Sequence, residues 1–73
     1  MGISFGNRGL RIGDEVVAQN DVVERAKEMG YDISGIGIVE QHMDVGKSTE
    51  QALVAFTNHR GWIYVHELRQ PFH

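Results

Sequence analysis

A chain of 73 residues without a single cysteine has to find its stability in one small core, because it has neither the length for a second domain nor disulfides to hold a thin one together. Residues 1–73 are therefore expected to form a single domain with a low buried fraction, for which oligomerisation or a bound partner would supply further burial. The missing cysteines also remove Cys-based zinc sites, thiol nucleophiles and redox chemistry, and they fit a reducing compartment, so a cytoplasmic location is the expectation. The longest apolar run, Ala52-Leu53-Val54-Ala55-Phe56, falls far short of the roughly 20 residues that cross a bilayer, and no charged start precedes an apolar signal segment. Neither a membrane partner nor N-terminal lipidation is expected, since Gly6 stands where a myristoylation signal wants Ser or Thr.

Residue patterning fills this one core mainly with strands. Gly6-Asn7-Arg8-Gly9 separates Ile3-Ser4-Phe5 from Leu10-Arg11-Ile12 as a tight turn, giving a short hairpin or extended arm. Gly13-Asp14 then turns into the β-branched pair Val16-Val17. At Asn20-Asp21 the period changes from two to 3.6: Val22, Val23, Ala26 and Met29 share one face, and Glu24, Arg25, Lys27 and Glu28 share the other. Asp21 and Glu24 have the spacing of a capping box, and Gly30 suits the C′ position, so a helix is predicted over about 21–29. From Ile36 to Met43 the pattern is extended again. Residues 52–57 and Trp62-Ile63-Tyr64-Val65-His66 flank the loop Asn58-His59-Arg60-Gly61, which predicts a hairpin. In its second strand Ile63 and Val65 share one face, while Trp62, Tyr64 and His66 share the other. The only proline, Pro71, marks the expected end of the sheet.

In order, Ile12-Gly13-Asp14-Glu15-Val16-Val17, Gly35-Ile36-Gly37-Ile38-Val39, Leu53-Val54-Ala55-Phe56-Thr57-Asn58 and Trp62-Ile63-Tyr64-Val65-His66-Glu67-Leu68 resemble the blocks of SH3-like small β-barrels. That superfamily includes the small stromal subunit of photosystem I, the variable chain of ferredoxin:thioredoxin reductase, and KOW-like domains. The resemblance covers residues 12–68 and implies a mainly β fold: a barrel of about five strands, with the helix of about 21–29 inserted after the first barrel strand, where many members have only a loop. It also implies a scaffold that binds partners more than it catalyses, although fold by itself transfers no function.

Three constellations invite chemistry. His42-Met43-Asp44-Val45-Gly46-Lys47-Ser48-Thr49 resembles a phosphate loop, which would offer amides and a lysine to phosphates. However, Gln41 occupies the place of its first glycine, and too little chain follows for a nucleotide domain. A polar loop between strands is the expectation. The four histidines match no established metal spacing, even though Glu40 and His42 share a strand face and His59 and His66 could approach across the last hairpin. No serine or carboxylate pair lies in a catalytic context, so no enzyme activity, cofactor or metal is expected.

The third constellation is Trp62, Tyr64 and His66, rimmed by His59, Arg60 and Arg69. Aromatic and arginine side chains make interface anchors, but Trp62 could equally seal one end of a barrel. The formal charge of −3, with both signs spread along the chain, favours a protein partner over nucleic acid. The expected function is a non-catalytic protein-binding module, acting as an accessory subunit or regulator of a larger protein. The alternative is a KOW-like nucleic-acid binder using the arginines and Trp62.

Overall fold

The computed structural model describes residues 10–71, so the proposed arm around Gly6-Asn7-Arg8-Gly9 lies outside the described residues. The elements are β1 (Glu15–Ala18), α1 (Asn20–Glu28), β2 (Gly37–Met43), β3 (Gln51–Ala55), β4 (Arg60–Tyr64), a 3-10 turn η1 (Val65–Glu67) and β5 (Leu68–Arg69). The strands form one antiparallel sheet in the order β4-β3-β2-β1-β5. β1 is divided between two neighbours: Glu15 and Val16 face Ile38 and Gly37 of β2, whereas Val17 and Ala18 face Arg69 and Leu68 of β5. This division bends the sheet around its core. Among the described residues β4 and β5 are the two ends of the order and do not bond to each other, so hydrogen bonds leave the curled sheet open. A mainly β fold with one helix after the first strand is therefore what the sequence forms.

Among the described residues the core is entirely apolar, with Val16, Ala18, Val39, Ala52, Val54, Phe56 and Leu68 from the strands and the final hairpin, joined by Leu10, Val22, Ala26 and Ile33. Period two explains the strand set: Ala52 and Val54 alternate with half-buried Gln51, Leu53 and Ala55. Gly37 faces the same interior. A Cβ there would collide with Val54 Cγ1 and stand 2.9 Å from two Phe56 ring carbons, so only glycine lets β2 approach this closely.

α1 covers the interior with Val22 and Ala26, one turn apart. Its ends follow different logic from each other. At the C-terminus the predicted glycine closes the helix: Gly30 has φ +97°, its N–H donates to the Lys27 carbonyl at 3.1 Å, and the Tyr31 N–H donates to the Ala26 carbonyl at 3.0 Å. The predicted capping box does not form. The helix starts one residue earlier, capped by Gln19, whose carbonyl accepts from the Val22 and Val23 amides at 3.0 Å with no side-chain cap. Gln19 is held there from a distance, its backbone N–H donating to the Glu67 carbonyl at 2.9 Å and its side-chain amide to the His66 carbonyl at 3.0 Å. Met29, expected on the buried face, is exposed, because the chain leaves the helix at that residue.

The predicted hairpin is present but shifted. β4 runs over Arg60–Tyr64, and Val65 and His66, expected to continue the strand, lie in η1 instead. The physical reason is topological: β5 must turn away from β4 to reach β1 at the far end of the strand order.

Candidate functional site

The side of the β2-β3-β4 sheet opposite the core is built by register. Ile38, Ala55 and Arg60 form one cross-strand row, Gln41, Leu53 and Trp62 the next, and Met43, Gln51 and Tyr64 the third. Four large apolar side chains on this face remain substantially open to solvent: Trp62 at 43%, Tyr64 at 42%, Ile38 at 40% and Met43 at 38%. Leu53 lies half-buried between them. Trp62 thus belongs to an exposed sheet face and does not plug the interior. Sequence reasoning found Trp62 and Tyr64 from their own strand but missed Ile38, Leu53 and Met43. Cross-strand register brings those three to the face, and period two within each strand was the signal for it.

Of the predicted cluster, His66 stays with the aromatics despite leaving the strand, because its ring stacks on Tyr64 with centroids 5.3 Å apart and planes 17° from parallel. Arg60 lies on the same face, its Nε 2.8 Å from Glu40 Oε1, an ion contact that spans β3 without hydrogen-bond alignment. Glu40 reaches it because the register of β2 against β3 slips between Val39 and Gln41. The same bulge separates Glu40 from His42, which the sequence placed on one face: His42 pairs with Ala52 on the core side and approaches Glu50 at 3.9 Å.

His59 and Arg69 sit elsewhere. His59 alternates with Gly61 and Ile63 on the other side of β4, where its ring stacks on Tyr31 at 4.5 Å and 22°. Beside it, Asn58 Nδ2 donates to Asp32 Oδ2 at 3.0 Å, so the connection between α1 and β2 is clamped to the tip of the final hairpin. Asp32 is an acceptor throughout: the Ser34 hydroxyl donates at 2.6 Å and the Ser34 amide at 2.9 Å. These Ser34 bonds, then the Asn58 bond and the charge of Lys27, lower its pKa from 3.8 to about 2. Arg69 lies on β5 opposite Val17, at the far end of the strand order from β4.

The phosphate-loop resemblance resolves into a β2–β3 connection. Asp44 (φ +55°) and Gly46 (φ +83°) turn the chain, and several of its donors are used internally. The Lys47 amide donates to the Asp44 carbonyl at 3.0 Å, the Thr49 hydroxyl to Asp44 Oδ2 at 3.1 Å, and the Gly46 amide to Glu50 Oε1 at 3.3 Å. A carboxylate facing the loop amides opposes an anion there. Among the described residues, no three His, Asp or Glu side chains group closely enough to hold a metal ion, and no helix is long and apolar enough to cross a membrane. No protein family model, curated protein or solved structure matches this chain.

Proposed function

We propose that this protein is a non-catalytic protein-binding module, an accessory subunit or regulator that engages a larger protein through the outer face of β2-β3-β4. The observation that carries the reading is the continuity of that face, with Ile38, Leu53, Trp62, Met43 and Tyr64 on adjoining cross-strand rows and the four largest exposed. An apolar patch of this kind on a small domain is costly in water and is the usual mark of a contact surface. Trp62 and Tyr64 supply the rigid, amphipathic area from which interface hot spots are made. We also infer that the curled sheet is an SH3-like barrel. Support comes from the four recognisable sequence blocks falling on β1, β2, β3 and the β4–η1 run, with β5 returning to β1.

The nucleic-acid alternative has less support. Arg60, the arginine on this face, already contacts Glu40, Arg25 is paired with Glu67 at 2.8 Å, and the chain is net acidic.

Affinity capture with the wild type and Trp62→Ala, followed by mass spectrometry, tests the reading. Because Trp62 is a surface residue, the variant should keep the wild-type circular dichroism spectrum. A partner bound through this face should weaken by about 30-fold, as expected for loss of a tryptophan hot spot. Retention of every specific partner by the folded variant rejects this face as the anchor.

A further inference from the structure

β4 ends the strand order, and among the described residues no strand bonds to its side away from β3. The β3–β4 ladder is framed by two bonds: the Phe56 N–H donates to the His59 carbonyl at 2.7 Å, and the Val65 N–H to the Glu50 carbonyl at 3.0 Å. Antiparallel residues alternate between bonding towards and away from a given neighbour. His59, Gly61, Ile63 and Val65 therefore bond towards β3, and Arg60, Trp62 and Tyr64 direct their N–H and C=O groups outward, where no described residue meets them. Residues 61–64 of β4 also line a groove of about 190 Å³, shared with Val22, Ala26 and Met29 of α1 and with Ile33.

We propose that a second copy of this chain occupies this edge, with the two β4 strands pairing antiparallel about a two-fold axis through Trp62. The edge is complementary to itself in that register. Trp62 meets Trp62 of the other copy, and Arg60 meets Tyr64 on either side, each pair exchanging main-chain hydrogen bonds. On the outer face the Arg60 guanidinium is set beside the Tyr64 ring. On the inner face Ile63 falls opposite Gly61, where the nearest side chain to the position a Cβ would take is that of His59. Repulsion is small: the two Arg60 residues stand four strand positions apart, about 13 Å, beyond the screening length of about 8 Å at physiological salt, and each is in contact with its own Glu40. The pairing also gives a small, disulfide-free domain additional burial.

This proposal rests on the main chain of β4, whereas the binding reading rests on the outer-face side chains, so the two can fail separately. Tyr64→Pro read against Tyr64→Ala is the discriminating pair, because both remove the ring and proline alone removes the N–H. Tyr64 has φ −65° and ψ 136°, the geometry proline prefers, and its N–H points away from β3, so proline removes an outward donor while the ladder to β3 stays intact. Sedimentation velocity from micromolar to millimolar protein should show a concentration-dependent dimer for the wild type. Self-association of Tyr64→Pro should be weaker than that of Tyr64→Ala by at least about tenfold, the loss expected when two main-chain hydrogen bonds go. In the wild type alone, the amides of Arg60, Trp62 and Tyr64 should gain protection from hydrogen exchange as concentration rises. A monomer at every concentration, a dimer that Tyr64→Pro leaves intact, or outward amides whose exchange ignores concentration would each overturn the proposal.

Discussion

Replacing Gly37 by alanine tests the packing argument most directly, because two effects of opposite sign compete and the structure decides between them. Gly37 is not one of the positive-φ glycines, so alanine can adopt its backbone conformation, and the loss of unfolded-chain freedom alone would stabilise the protein by about 0.4–1 kcal/mol. Against this, the new methyl group would overlap Val54 Cγ1 and sit 2.9 Å from Phe56 Cδ1 and Cε1. Neither neighbour is the loose end of a flexible side chain. Val54 is fully buried in a central strand, and Phe56 is pinned where its N–H donates to His59 at the hairpin. Overpacking a filled core costs about 1–3 kcal/mol, which leaves a net loss of about 1–2 kcal/mol. A 73-residue domain holds about 4–11 kcal/mol in all, so this is a large share, worth about 5–15 °C in Tm. Differential scanning calorimetry of wild type, Gly37→Ala, Val54→Ala and the double variant is the assay. The double variant should lose less than the sum of the two single losses, since removing the Val54 methyls makes room for the one added at position 37. An unchanged or raised Tm for Gly37→Ala would refute the close β2–β3 approach.

Leu68→Ala should cost about 2–5 kcal/mol, because Leu68 is only 1% exposed and joins β5 to the core; urea titration should show a lower midpoint with an unchanged slope. The Asp32 carboxyl, followed by NMR, should titrate near 2, and Ser34→Ala should move it towards 3.8 more than Asn58→Ala does, since the Ser34 hydroxyl is the main cause of the shift. The pKa is lower folded than unfolded, so the contribution of Asp32 to stability is fully present above about 4 and disappears as pH falls through about 2.

The elements that proved readable in the sequence are those written in neighbouring residues. The 3.6-residue period with Gly30 behind it gave the helix to within a residue, and period two gave the strands. What depended on distant partners was hidden. Asp21 and Glu24 have the spacing of a capping box, yet the helix start is decided by Gln19, whose bonds run to His66 and Glu67 at the other end of the chain. Val65 and His66 have the composition of a strand, but the need to deliver Leu68 to Ala18 turns them into η1. The candidate site divides in the same way. Trp62 and Tyr64 were visible along one strand, and Ile38 and Met43 joined them only through register. His59 was grouped with Trp62 because its loop adjoins that strand, although strand positions an odd number of residues apart point to opposite faces.

The divided strand β1 separates the contacts of this fold by reach along the chain. β2, β3 and β4 meet as successive neighbours, and Val54 closes on Gly61 across a short hairpin. β1 meets β5 only after Ala18 and Leu68, about 50 residues apart, find each other. Loop-closure entropy makes that second closure costlier than the hairpin by about 2 kcal/mol. The long closure of β1 on β5 therefore hangs on a strand of two residues.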